Sequence, residues 1–391
     1  MTAALWSIQP AATAAPVMGR ISTEEWARPA GFWSTVISMI VVFAITILVM
    51  MVLGGAGFSQ LSLYVAMGLT ILVPYLLWMR LLVRFDPWTP RARKLVFLAI
   101  LWGCIPAVLA SVFMEAELDG VVTELGEASL GLMVVAPFSE ELAKGLFVVL
   151  VYIFGRRHLR GPWDGLFMGA LVGAGFGFAE DIGYLASAFS EGGVIGLIVN
   201  YVLREVFTAH AHLVFTACTG LAAGLAARHG LPMGHGLGWI GLGFLAAFAL
   251  HAVWDTSTAV LPSGDTAIML FEPIIQGSVY AAIAIAGLRV LRRREDRMLT
   301  ARLAEYAEAG WFSAEEIASV ADPKARRAAV KRTRRMPALR RQAVRLLFAV
   351  QTLLALNRQK ALMAQNQFDH TEKEDVRLRN LVVSARAMGT D

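Results

Sequence analysis

The sequence predicts an all-α polytopic membrane protein: about eight transmembrane helices plus a C-terminal cytoplasmic helical region. Three observations carry that expectation. The chain of 391 residues is 57% hydrophobic and only 17% charged, too apolar for a soluble domain to cover itself with polar surface. Its apolar residues gather into runs long enough to cross a hydrocarbon core of ~30 Å, which takes ~20 helical residues. Lys and Arg crowd into alternate connections between those runs and into the last hundred residues. The net charge of +5 is therefore a local excess, not a general one.

The runs lie near 32–55, 60–80, 95–114, 128–154, 165–189, 195–228, 237–262 and 267–291. The sixth is too long for one straight span, and is expected to begin with a tilted or interfacial piece before a crossing near Phe207 to Ala227. Residues 1–30 lack the basic start and long apolar core of a signal peptide, and read as a flexible cytoplasmic leader ahead of a transmembrane domain over 31–291. Arg80, Arg84, Arg91, Arg93 and Lys94 follow the second run, Arg156, Arg157 and Arg160 the fourth, Arg228 the sixth, and Arg292 to Arg294 the eighth. The alternate loops 55–60, 115–127, 190–194 and 262–265 carry no Lys or Arg. The positive-inside rule then puts both termini in the cytoplasm. Trp88, Trp163 and Tyr201 at span ends read as interface anchors. Cys104 and Cys218 sit far apart in apolar runs, as small buried hydrophobes rather than a disulfide or a metal pair.

Residues 292–391 read as a separate soluble helical extension. Ser313 and Glu316 have capping-box spacing, and Asp322-Pro323 is a helix start. Ala343, Leu347, Val350 and Leu354 recur at helical spacing beside Arg340, Arg341 and Arg345. Such a stripe suits either a bundle packed on itself or a helix lying on anionic lipid; a cytoplasmic protein partner is the other expectation for this region, and no nucleic-acid partner is expected. The polar stretch from Asn366 is expected to fray.

The fourth run contains the sequence's main anomaly, Ser139-Glu140-Glu141-Leu142-Ala143-Lys144. An ionisable residue at the centre of a membrane helix costs roughly 2.5–3.5 kcal/mol on insertion scales, and its default reading is functional. Three more runs bring acid or imidazole to similar depth: Glu180 with Asp181, His210 with His212, and His251 with Asp255. Four independent accidents of that cost are a poor explanation, and one shared site is the economical one. His251 and Asp255 share a helix face at four-residue spacing, as do Glu140 and Lys144, while Glu141 lies about 100° round the helix from Glu140. Gly169, Gly173 and Gly177 form a stripe along which a neighbouring helix can approach closely. His210 reads as structural, and Arg204 as a partner for Glu205, Glu191 or a substrate carboxylate.

Two chemistries fit this residue set. In one, zinc is held by His212, His251 and Glu180, with Glu140 as the base for its water and Asp255 as an outer or additional ligand. In the other, a metal-free glutamate activates water and imidazole stabilises the oxyanion. Both hydrolyse a peptide or amide inside the membrane. Soluble signatures such as His-Glu-x-x-His and Gly-x-Ser-x-Gly are absent. A proton- or ion-coupled transporter also uses acids and histidines at mid-depth, but no repeat relates the two halves as transporters often show. A catalytically silent membrane scaffold would have no use for the intact set.

Glu140-Glu141-x-x-Lys144, Phe176-x-x-x-Glu180, His212 with Phe215-Thr216, and His251, in that order and each on its own run, resemble the PrsW family. These are bacterial multi-pass membrane proteases related to the CAAX-protease and bacteriocin-processing superfamily, and the likeness covers roughly Leu95 to Leu291. The resemblance implies a bacterial inner-membrane endopeptidase cutting a membrane-anchored protein, such as an anti-sigma factor, near its extracytoplasmic side. It also implies that Glu140, Glu141, Glu180 and His212 are essential, with Lys144 beside them. Two positions depart from the family pattern: Asp181 and Asp255 stand where Asn is usual. Each adds a possible negative charge, which would favour a metal or a shared proton.

Overall fold

The computed structural model describes residues 8–9, 32–53, 58–86, 88–124, 130–260, 266–363 and 368–390. Nearly all of the expected leader, the whole loop 262–265 and parts of the loops 55–60 and 115–127 lie outside the described residues. Among the described residues every regular element is a helix: α1 (Phe32–Leu53), α2 (Phe58–Phe85), α3 (Arg93–Trp102), α4 (Val108–Glu124), α5 (Ala136–Phe154), α6 (Pro162–Tyr201), α7 (Ala211–Arg228), α8 (Met233–Val260), α9 (Thr266–Glu308), α10 (Ala314–Ala321), α11 (Pro323–Arg334), α12 (Ala338–Met363) and α13 (Phe368–Thr390). Five stretches among them are long and apolar enough to cross a membrane, and one, Pro162–Arg228, contains both the fifth and the sixth predicted runs. The chain is a multi-pass all-α membrane protein.

α6 is the central helix. Its residues from Pro162 to Ala179 are buried without a break, so it is surrounded by protein instead of lipid. In lipid no hydrophobic effect drives helices together, and close packing depends on small residues. On one side of α6 a Cβ at Gly165, Gly169 or Gly173 would strike the backbone carbonyl of Gly220, Thr216 or His212 in α7. On the other side Gly175 meets Ile100 in the same way, and Gly103, in the π-helical segment Gly103–Ala107 that joins α3 to α4, meets Val172. The predicted glycine stripe is thus the α6–α7 contact.

The long sixth run is resolved by a reversal. Gly193, at φ +58° and ψ −147°, interrupts α6, in a conformation that L-residues with a Cβ rarely adopt. The chain folds back there, passes through a π-helical segment (Val202–Thr208) and enters α7.

The helices after Arg292 pack as a bundle around Leu303, Tyr306, Trp311, Val350, Leu354 and Val382. The capping box at Ser313 and the Asp322 cap form as expected. One expectation is corrected. The stretch from Phe368 does not fray: α13 buries Leu378, Leu381, Val382 and Ala385, and Tyr306 donates a hydrogen bond to Asp375. Of the two courses expected for the apolar stripe of α12, the structure has the bundle, in which Ala343, Val350 and Leu354 are buried.

The boundary expected at Arg292 falls inside the continuous helix α9. Near Arg292, α9 enters an ion-pair network with the basic loops. Arg292 pairs with Asp86 (3.3 Å) and Asp296 (2.7 Å), Asp86 also pairs with Arg91 (2.6 Å), and Arg326 pairs with Asp296 (2.7 Å). Arg228, at the end of α7, binds Glu295 through two nitrogens at 2.5 and 2.8 Å. Trp88 donates to the Ser319 carbonyl and packs on Phe348, and Trp163 packs on Phe85. Both tryptophans are buried in protein contacts, which corrects the expectation of interface anchors.

Removing one member of a buried pair strands the other charge, at a cost of ~3–5 kcal/mol. Arg228→Ala should therefore lower thermal stability in detergent by several degrees, and unchanged melting would show that Glu295 is not confined as described. Burial alone would raise the pKa of Asp86, but the guanidiniums of Arg91 and Arg292 outweigh it and hold the carboxyl below its usual range. A depressed folded-state pKa contributes stability above the unfolded value of ~3.9 that fades as pH falls through the folded one. Asp86→Asn should remove that part of the acid-induced loss, seen as a shallower fall in melting temperature below about pH 4.

Candidate active site

All seven residues singled out by the sequence, Glu140, Glu141, Lys144, Glu180, His212, His251 and Asp255, converge on one cluster near the non-basic ends of α5 to α8. Glu140 lies 14 residues from Phe154, His212 lies 16 from Arg228, and Glu180 and His251 each lie 18 from Pro162 and Met233. At 1.5 Å per residue the four are about 21–27 Å from the basic end. That is the part of a ~30 Å core away from the basic loops.

Lys144 is the hub. It is fully buried, and its Nζ lies 3.0 Å from Glu140 Oε2, 2.7 Å from Glu141 Oε1 and 3.1 Å from His212 Nδ1. It also sits 4.0 Å over the ring of Phe176, a cation–π contact strengthened by desolvation. The 100° between the two glutamates gives them different surroundings. Glu141 is sealed in: Thr216 donates to its Oε2 at 3.0 Å, and Oε1 faces His251 Nδ1 at 3.2 Å. Glu140 Oε2 lies 3.8 Å from His212 Nδ1 and 3.8 Å from His251 Nε2.

The far nitrogen of His212, Nε2, is 2.6 Å from Glu180 Oε2. Asp255 Oδ2 is 3.6 Å from His251 Nε2. Glu180 and Asp255 form the rim, with side chains 22% and 17% exposed, whereas Glu141 and Lys144 are at 0%. The cluster is thus accessible from the Glu180 and Asp255 side, and the amine is at the bottom.

Arg204 does not pair with Glu205 or Glu191, as the sequence suggested. The reversal at Gly193 carries it back to α6, where its Nε donates to Asp181 Oδ1 at 2.8 Å and its Nη2 lies 3.4 Å from Glu180. Tyr75 donates to the other oxygen of Asp181 at 2.7 Å, and Tyr184 lies beneath the Arg204 guanidinium at 3.6 Å. The sequence reading missed Tyr75 and Tyr184, whose one signal was a tyrosine inside an apolar run. His210 is buried outside the cluster, with its ring 4.6 Å from that of Trp78.

One ligand atom each from Glu140, His212 and His251 lies within 4.8 Å of the others, the one such metal-competent group of acids, imidazoles or thiols among the described residues. Two imidazoles and a carboxylate are the donor set of a three-ligand zinc site. Each imidazole also has its other nitrogen against a carboxylate, His212 on Glu180 and His251 on Glu141, the outer arrangement that fixes tautomer and ring orientation at metal sites. The residues fit a divalent metal.

Fold and site together define a polytopic membrane protein with a buried acid–histidine centre open at one rim. The family model described as PrsW family intramembrane metalloprotease matches residues 91–290, just over half of the chain. The chain belongs to this family of intramembrane proteases. Neither the curated proteins nor the solved structures gave a match.

Because Gly173 touches the His212 carbonyl, any side chain there displaces the imidazole. Gly173→Val should abolish proteolysis of a reporter while membrane insertion persists. Gly183, with open space at its Cβ position, should accept Ala with activity within about twofold, since surface changes away from packed features are worth ±0.5 kcal/mol. Equal activities of the two variants would contradict the packing.

Proposed function

We propose that the chain is an endopeptidase of the bacterial cell membrane that cleaves a membrane-anchored protein, with both termini in the cytoplasm. The observation that carries this reading is the position of the Glu140 carboxylate, 3.8 Å from both His212 and His251 inside a membrane-embedded cluster with an open rim. The orientation rests on the alternation of Lys and Arg between loops. With that orientation the rim faces the outer leaflet, which fits a scissile bond near the extracytoplasmic end of a substrate's anchor.

The division of labour differs from the one read in the sequence. Glu140, through Oε2, His212, through Nδ1, and His251, through Nε2, would hold a divalent metal, with zinc the ion such donors suit. Bound there, it supplies Lewis acidity towards water and a peptide carbonyl. Glu180 orients His212, and Arg204 steadies Glu180. Glu141, fixed by Thr216 and Lys144, orients His251. Asp255 at the rim accepts the proton of the attacking water and returns it to the leaving amine. Phe176 and Phe215 keep bulk water from the inner side of the two imidazoles.

The position of Lys144 favours a second reading. Its ammonium lies within hydrogen-bond distance of two of the three donor atoms, where it would repel a cation. In a metal-free site Lys144 positions Glu140, Glu140 takes the water's proton, and a ring N–H of His212 or His251 donates to the oxyanion.

Both readings need the Glu140 carboxylate. Glu140→Gln should lower cleavage of a membrane-anchored reporter by at least roughly 10²–10⁴-fold, the worth of a positioned proton-transfer group, with abundance and insertion unchanged. Cleavage at the wild-type rate would remove Glu140 from the chemistry and sink the proposal.

A further inference from the structure

The bundle after Arg292 carries a second charged feature that proteolysis does not use. Between Lys324 and Arg345 the chain has ten Lys and Arg residues and no Asp or Glu. The ends of α11 and α12 that meet at the turn before Ala338 gather six of them: Lys331, Arg334, Arg335, Arg340, Arg341 and Arg345. Among the described residues none of the six pairs with a carboxylate. Partial burial, and then the like charges of Arg341 and Arg334, lower the pKa of Arg345, so these guanidiniums crowd one another. Leu339, next to Arg340 at the start of α12, is 52% exposed.

The placement of α12 sets where this patch lies. Phe348 packs on Trp88, which follows α2. Thr352 and Leu356 line a cleft with Gly161 and Trp163, at the start of α6. Lys360, its pKa pushed down by burial and then by Arg156, lies near the end of α5. Over 12 residues, about 18 Å, α12 thus meets the basic ends of three membrane helices in succession. A helix that does so lies across the end of the bundle, roughly in the membrane plane. Its N-terminal turns continue past Trp88, so Arg345, Arg341 and Arg340 extend about 5–12 Å beyond Phe348 along that line. The patch is therefore at headgroup level, to one side of the transmembrane helices.

We propose that the surface at the α11–α12 turn binds anionic phospholipid headgroups of the leaflet on the side of the basic loops, with Leu339 inserted among them. Clustered Lys and Arg at a membrane surface attract anionic lipid, and an exposed leucine among them suits the interface. A nucleic acid is the poorer fit, because Lys324–Arg345 has no aromatic residue on which a base would stack.

The test uses the full-length protein in nanodiscs of phosphatidylcholine, alone or mixed equally with phosphatidylglycerol. A polarity-sensitive fluorophore is placed at Leu339→Cys, and the protein without that cysteine serves as the labelling control. Emission should shift to the blue only in the mixed discs, and the shift should disappear in roughly 1 M salt, where the screening length is ~3 Å. Adding Arg340→Gln and Arg341→Gln should weaken the contact about fivefold per charge. Identical emission in both kinds of disc would overturn the proposal. So would a shift that survives both salt and the double substitution, or one seen in neutral discs only after a polynucleotide or polyglutamate is added.

Discussion

The structure depends on charge compensation at a depth where water supplies little of it. Five carboxylates, those of Glu140, Glu141, Glu180, Asp181 and Asp255, lie within one membrane-embedded region. Each would cost several kcal/mol if left ionised and alone. Lys144 answers Glu140 and Glu141 from below, while Arg204 answers Glu180 and Asp181 from the side. Neither cation could arrive without a backbone device. Lys144 comes from the same helix face as Glu140, and Arg204 arrives only because the chain reverses at Gly193. The glycine contacts of α6 with α7 then bring Glu180 to 2.6 Å from His212. Pairs of this kind add little stability compared with an apolar core. Their retention in a membrane argues for a chemical use, and the family to which the chain belongs supplies one.

Much of this was legible in the sequence, because lipid imposes strong rules. Helices must satisfy their own backbones, and intramembrane charges are few enough to be noticed individually. The seven residues of the cluster were all identifiable, as were the convergence of four helices and the α6–α7 glycine stripe. Two kinds of information were not. Spacing along one helix says which residues share a face, but not which atoms meet across helices. Glu140, rather than Glu180, therefore came to stand between the two imidazoles without any signal in the sequence. Contacts made through chain reversal were equally hidden: Arg204 sits one residue from Glu205, yet it pairs with Asp181, 23 residues earlier. The negative charge of Asp181, read from the sequence as favouring a metal or a shared proton, is met instead by Arg204.

At the opposite end of the bundle the same physics joins two parts that the composition separates. The sequence changes character near Arg292, from apolar to polar, and this reads as a boundary. The structure instead carries α9 through that point and pairs its buried Arg292 and Glu295 with Asp86 and Arg228. The tryptophans assigned to the lipid interface are enclosed by this contact. Hydropathy records what surrounds a side chain on average, but it does not distinguish a headgroup layer from a second protein layer at the same height.

Glu140, His212 and His251 are proposed to form a metal site within the proteolytic centre. The most direct measurement is the metal content of purified, proteolytically active protein in detergent, with His212→Ala and His251→Ala prepared alongside. One divalent metal ion per chain is expected in the wild type and none in either variant, with the helical content of all three the same. Full activity in wild-type protein stripped of metal would contradict the claim and leave Lys144 and Glu140 as the working pair of a metal-free site.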